Sequence, residues 1–332
     1  MPLILQKAGF GDPLAELAPL LACEETETGW RGLTQVGEVL DVKGQDGKRA
    51  RVPEEIIVTR GGQPIGKRQV PEPEPRVVTE YLRNVELARD FMRDSEFEGA
   101  LARSNAALSL APTDVAQFNR AFAFLHLGRW SEGLDDLLQV ERHSERFMRP
   151  MHRAAIARGL RPWNGEDLGG RGLVLLDDHG FGDTIMMLRY VPTLFAMGAE
   201  VLIICRPELT RLASQFAPVG SLGGVMEPVY FCSFLHLLRF LPGYEMPAPP
   251  YLRAGARGHG GDRRRIGIAW SVGVAHDDDY PREVPLELLA TAFPDAELHS
   301  VQTQGADEAS MFGIIAHEFR DFAECADVMM QM

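Results

Sequence analysis

Residues 174–190 read VLLDDHGFGDTIMMLRY, and the parsing of this stretch decides the architecture. With Gly172 and Leu173 in front, the apolar run is short and uniformly hydrophobic, which predicts a strand over 172–178 buried on both faces. A Gly-Phe-Gly turn follows, then Asp183, then the helical pattern TIMMLRYVPTLFAMG over 184–198, stopped by Gly198. The alternation continues. AEVLIIC (199–205) reads as a strand, and PELTRLASQFA (207–217) as a helix with Pro207 in its first turn. After Pro249 and Pro250, RRIGIAW (264–270) and AELHSVQTQ (296–304) read as strands around the helix PLELLATAF (285–293). The segment RDFAECADVMMQM at the end of the chain reads as a helix. Strands alternating with helices predict a parallel sheet covered by helices, an α/β fold.

In such a sheet, ligands bind beyond the carboxyl ends of the strands. The GFGD turn lies there. Gly180 and Gly182 are expected to let the backbone bend tightly and to leave amide N–H groups uncovered. Asp183 stands at the entrance to the helix and has two readings. It caps the helix, worth about 1 kcal/mol, or it takes a proton from a substrate. The segment is not a dinucleotide fingerprint, because Ile185 stands where a third small residue is required, and it is not a P-loop, having no GK[ST].

Upstream the pattern differs. Residues 1–75 contain short β-type runs split by turn signals such as Gly61-Gly62, and the stretch closes with PEPEP (71–75), a stiff linker. Residues 76–160 are helical by period and repeat internally. Ala88, Phe91, Phe97, Ala100 and Ala107 recur, each 33 residues later, as Ala121, Phe124, Trp130, Gly133 and Val140. Small residues recur where helices approach closely, and aromatics where they wedge. This pattern resembles the tetratricopeptide repeat. It is read either as a partner-binding groove or as a helical spacer.

The bulk numbers narrow the function classes. The 332 residues carry a formal charge of −13, which argues against nucleic acid and anionic membranes as partners. The four cysteines, Cys23, Cys205, Cys232 and Cys325, form no CxxC pair, consistent with a reduced, cytoplasmic chain. No secretion signal and no membrane span are read.

The stretch from Trp163 through Leu212, followed by PPYLRA (249–254), IGIAW (266–270), HDDDYPREVPLELL (276–289) and FRDFAECADVM (319–329), resembles a bacterial family. That family joins tetratricopeptide repeats to a heptosyltransferase-like glycosyltransferase module of family 9. The resemblance implies a GT-B architecture: a Rossmann-like acceptor-type domain over 161–255 and a partial donor-type α/β domain over 262–332. It maps the family's candidate general base onto Asp183 and places Gly180, Gly182 and Thr184 in the binding turn. Trp270, His276 and Arg282 fall at donor-side positions, with Arg282 toward a diphosphate. Trp270 is also read as a core residue, His276 as a loop histidine and Arg282 as a surface ion-pair partner of Glu283 or Asp279. The acidic run Asp277–Asp279 is not read as a metal site.

Two features depart from the family pattern. Val272 adds bulk and Glu283 adds negative charge near the implied phosphate position. The second α/β unit is also short, and the expectation is that the chain as given is truncated at its C-terminus. The function expected is therefore that of a glycosyltransferase-derived protein, not catalytic as the 332-residue chain. It would act in carbohydrate recognition or as an adaptor or structural subunit, with a protein partner or a second copy, and with no cofactor. The alternative is an active transferase using a nucleotide sugar and Asp183 as base. A dehydrogenase is disfavoured by the missing third glycine.

Overall fold

The computed structural model describes residues 3–6, 19–43, 50–60, 63–144, 146–225, 229–241, 246–255, 264–271, 284–302 and 305–332. The chain forms two compact units, Met1–Arg149 and Pro150–Met332.

The first unit opens with β1 (Leu3–Gln6), β2 (Leu20–Glu25), β3 (Gly29–Thr34), β4 (Val39–Lys43), β5 (Glu55–Arg60) and β6 (Gln63–Gln69). They make two three-stranded sheets, β1-β5-β6 and the antiparallel meander β2-β3-β4. Trp30 and Cys23 are fully buried, and they share a core with Leu20 and Ile56. A Cβ at Gly29 would lie 1.9 Å from the Val42 carbonyl oxygen, so this strand crossing requires glycine.

Four helices follow: α1 (Val77–Arg93), α2 (Phe97–Leu110), α3 (Asp114–His126) and α4 (Trp130–His143). The starts and ends of α2 and α4, and the ends of α1 and α3, are offset by the same 33 residues as the sequence repeat. Ala88, Ala100, Ala107 and Ala121 are fully buried, as close helix approach demands, whereas Trp130 lies on the surface, 46% exposed. The helices do not stand apart from the β module, because Ala22 and Leu33 of the meander share one core with Val78, Tyr81, Ala107 and Val115. The start of α1 shows the same dependence. Arg76 provides no side-chain cap, and Glu24 of β2 fills that role, accepting from the Thr79 N–H at 2.8 Å and the Thr79 hydroxyl at 2.6 Å.

Gly133 tests the close approach. A Cβ there would lie 2.9 Å from the Ala121 carbonyl oxygen and 2.8 Å from Leu125 Cγ. Alanine gains about 1 kcal/mol of helix propensity, but a backbone carbonyl cannot rotate away, and overpacking costs about 1–3 kcal/mol. Gly133→Ala is expected to lower the urea midpoint rather than raise it.

The second unit contains α5 (Pro150–Ala157), β7 (Arg161–Pro162), β8 (Gly172–Leu176), α6 (Phe181–Met187), α7 (Val191–Ala196), β9 (Glu200–Ile204), α8 (Thr210–Ala213), β10 (Tyr230–Ser233) and α9 (Leu237–Phe240). Its four-stranded sheet has the order β7-β10-β8-β9, every pair parallel. The fold is therefore α/β, as the alternation predicts. Leu173 to Leu176 are all buried, which explains the run without polar alternation. The helix expected over 184–198 is broken into α6, a 3-10 turn over Leu188–Tyr190, and α7. Pro192 accounts for the break, since it donates no N–H and its ring excludes the carbonyl four residues back. The helix expected over 207–217 is likewise a 3-10 turn, Pro207–Leu209, followed by the short α8.

The chain continues with β11 (Arg265–Ile268), α10 (Leu286–Ala292), β12 (Glu297–Ser300), α11 (Ala306–Met311) and α12 (Phe322–Met329). β11 and β12 pair in parallel, and Ile315 adds a parallel bridge to His299. Their core holds Ile268, Trp270, Leu286, Leu298, Ala309 and Ile314. Among the described residues, no helix is long and apolar enough to cross a membrane.

Candidate functional site at the sheet switch point

Strand order places the candidate site. From β8 the chain passes to β9 on one side, while β10 pairs on the other. The region beyond the carboxyl ends of β8 and β10 is thus a topological switch point, the place where open α/β sheets bind ligands. Asp177, Asp178 and His179 leave β8 there, and Ser233 and His236 leave β10.

Asp177 is the anchor of this turn. Its side chain is fully buried. The Thr184 hydroxyl donates to it at 2.6 Å, the Arg206 N–H at 3.0 Å, and Arg206 Nε and Nη2 at 2.7 Å each. Burial pushes its carboxyl pKa up, but the hydrogen bonds from Arg206 and Thr184 outweigh that and hold it below the usual carboxylate range. Hydrogen bonding to Asp177 in turn raises the Arg206 guanidinium. Arg206 Nη2 also donates to the His179 carbonyl at 2.7 Å, and the guanidinium lies 3.8 Å from the centre of the Phe181 ring. One cation therefore fixes both ends of the turn. Beside it, burial pushes the Cys205 thiol up to about 11, so this cysteine is a neutral thiol.

Asp178 ties the two strands together. It accepts from the Ser233 hydroxyl at 2.9 Å and from the Met151 N–H at 3.2 Å. Three imidazoles lie near one another in this unit. The His236 ring centre lies 5.9 Å from that of His179 and 6.2 Å from that of His152, whose ring meets Phe231 edge-on.

The nominated residues distribute as follows. Asp183 Oδ2 accepts from the Gly180 N–H at 3.0 Å, so the carboxylate caps the turn that precedes it. Thr184 is fully buried, and its hydroxyl donates to Asp177. Gly180 has φ −67°, an ordinary extended value, and Gly182 is also absent from the positive-φ positions. The expected tight glycine bend is therefore corrected: neither glycine is demanded by backbone conformation. Open space surrounds the missing Cβ of Gly182. Trp270 is 4% exposed, sits in the core of its sheet, and donates Nε1–H to Glu308 at 3.0 Å. His276, Arg282, Val272 and Glu283 lie outside the described residues.

Sequence reasoning did not single out Asp177, Asp178, Arg206, Ser233 or the three histidines. The signal for Asp177 and Asp178 was their place directly after a buried strand. β10 carried no such signal, because YFCS is short and runs without a break into FLHLLRF.

The class defined here is a mixed α/β protein with a parallel sheet and a polar cluster at its switch point. No family model matches the chain, and no solved structure matches it. Among curated proteins it is similar to Protein FlbA of Caulobacter vibrioides, at 34% identity over 128 residues, covering 36% of this chain and 20% of that protein. The match thus spans about a fifth of the relative's length.

Proposed function

We propose that this chain is a glycosyltransferase-derived recognition protein, in which the switch-point region binds a saccharide and the tetratricopeptide-like helices engage a protein partner. The observation that carries the non-catalytic reading is the use of Asp183: its carboxylate is engaged by the Gly180 N–H at 3.0 Å. Thr184 and Trp270 support it, since both are committed to interior hydrogen bonds. The helix pairs support the adaptor role through their 33-residue offset and their small-residue seams.

The transferase reading keeps one observation in its favour: Asp183 stands beyond the carboxyl end of β8, the strand at the switch point. The two readings separate in one experiment. The recognition reading expects the protein to bind oligosaccharide, to leave nucleotide-diphosphate sugars unhydrolysed, and to run as an oligomer or heteromeric complex by light scattering. It also expects Asp183→Asn, whose amide oxygen still accepts from the Gly180 N–H, to leave saccharide binding within about twofold and stability within about 0.5 kcal/mol. Turnover of a nucleotide sugar that falls about 100-fold or more in Asp183→Asn would establish the base role instead.

A further inference from the structure

A second polar cluster lies away from the switch point, on the β11–β12 sheet. Glu297 and His299 are two residues apart on β12 and therefore share a face. His299 Nε2 is 2.9 Å from Glu297 Oε1, and Arg265 Nε on β11 is 3.0 Å from that same oxygen. An ionised carboxylate only accepts, so it fixes the His299 proton on Nε2 and leaves Nδ1 as an acceptor. His317 Nε2 lies 2.9 Å from that Nδ1, so its N–H must be the donor. The order is Arg265, Glu297, His299, His317, each link directional.

This chain accepts one proton without strain. Placed on His317 Nδ1, it leaves the bond between the rings in place and makes it charge-assisted. A second proton has only His299 Nδ1 to go to, and there N–H would face N–H at the 2.9 Å separation. That bond is then lost and two cations stand with ring centres 5.2 Å apart. The charged groups reaching the pair are Glu297 on β12 and Arg265 on β11, while Glu318, next in the chain, is exposed. Burial holds the His317 imidazole below its usual range.

His317 belongs to a segment with a mechanical role. Two residues earlier, the Ile315 N–H donates to the Leu298 carbonyl at 2.9 Å, and the Ser300 N–H donates to the Ile315 carbonyl at 2.8 Å. A few residues later, Asp321 pairs with Arg211 at 3.1 Å and caps α12, and Phe322 meets Phe181 of the switch-point turn with ring centres 4.9 Å apart.

We propose that His299 and His317 form an acid-sensitive latch that holds segment 314–321 on the edge of β12 and releases it when both rings are protonated. The latch stands whether or not the recognition reading holds. Its sign follows from the proton count: it is closed at and above the unfolded histidine value of about 6.5, where the pair shares at most one added proton, and it opens as falling pH adds the second, for which no acceptor is left between the rings.

Hydrogen exchange on the full chain at about pH 7.5 and about pH 5, corrected for intrinsic rates, tests the latch. Protection of the Ile315 and Ser300 amides is expected to fall by roughly tenfold or more at the lower pH, with the β8 amides of Leu173–Leu176 unchanged. His317→Gln is expected to remove this pH dependence, since an amide can donate to or accept from His299. Equal protection at both pH values, an equal fall in β8, or the same fall in His317→Gln would each overturn the latch. Histidine nitrogen NMR of the unmodified protein is a test that needs no variant. It is expected to show the Nε2–H tautomer at His299 and a His317 titration below the ordinary value, and the Nδ1–H tautomer at His299 would overturn the latch.

Discussion

Arg206→Ala is expected to be among the most destabilising single substitutions in the α/β unit, lowering its unfolding free energy by about 3–5 kcal/mol in urea denaturation. The reason is the fully buried carboxylate it leaves behind. Asp177 would keep only the Thr184 hydroxyl and the backbone N–H of residue 206. It would lose the paired guanidinium contacts of 2.7 Å and the charge that offsets its burial. The turn would also lose the bond to the His179 carbonyl and the cation over Phe181. Arg206→Lys is expected to recover only part of the loss, because a single ammonium cannot form the fork that Nε and Nη2 provide. Asp177 has a depressed folded value, so the pair's contribution is complete above the unfolded carboxyl value of about 3.9 and is lost as pH falls through the folded value. The gap between wild type and Arg206→Ala is therefore expected to close in acid. A constant gap from neutral pH to about pH 2 would refute the charge-pair account.

Phe231→Ala is the second large effect, with an expected loss of about 3–5 kcal/mol. Phe231 is fully buried on β10, in register between Val174 of β8 and Pro162 of β7. Its ring packs with Ala155, Leu160, Val174, Leu176 and Ile204 and receives the His152 ring edge-on, 4.7 Å between centres. Truncation removes a whole ring from a site bounded by strand backbone, which cannot collapse around the gap. Phe231→Leu, nearer in volume, is expected to cost less than about 1.5 kcal/mol. The substitution also reaches the candidate site, because β10 carries Ser233 to Asp178. Under the recognition reading proposed above, saccharide binding is expected to weaken in Phe231→Ala even under conditions where the variant remains folded.

Both predictions rest on features of unequal visibility in the sequence. The β8 strand was legible because Leu173 to Leu176 form an unbroken apolar run that only a doubly covered parallel strand requires. The helical repeat was legible because alanine and glycine at matched positions reflect helix–helix distance directly. The interruption of helix 184–198 could have been read from Pro192 alone. β10 was not legible, since four residues set among apolar and aromatic neighbours carry no period. Glu24 as the cap of α1 was not legible either, because its partner Thr79 lies 55 positions away.

Local pattern determined the class of this protein: strand–helix alternation, buried parallel strands, and a polar turn beyond the first of them. It did so because hydrophobic period and chain-bending residues act over a few neighbours. Only the tertiary structure decided what each polar side chain does. Asp183, the most conspicuous residue of the turn, caps it, while Asp177, one of two adjacent aspartates with nothing in the sequence to tell them apart, is the buried anion that organises the turn. The difference is set by which oxygen is buried and which distant arginine reaches it, and hydrogen-bond partners drawn from 29 residues away leave no local trace in the sequence.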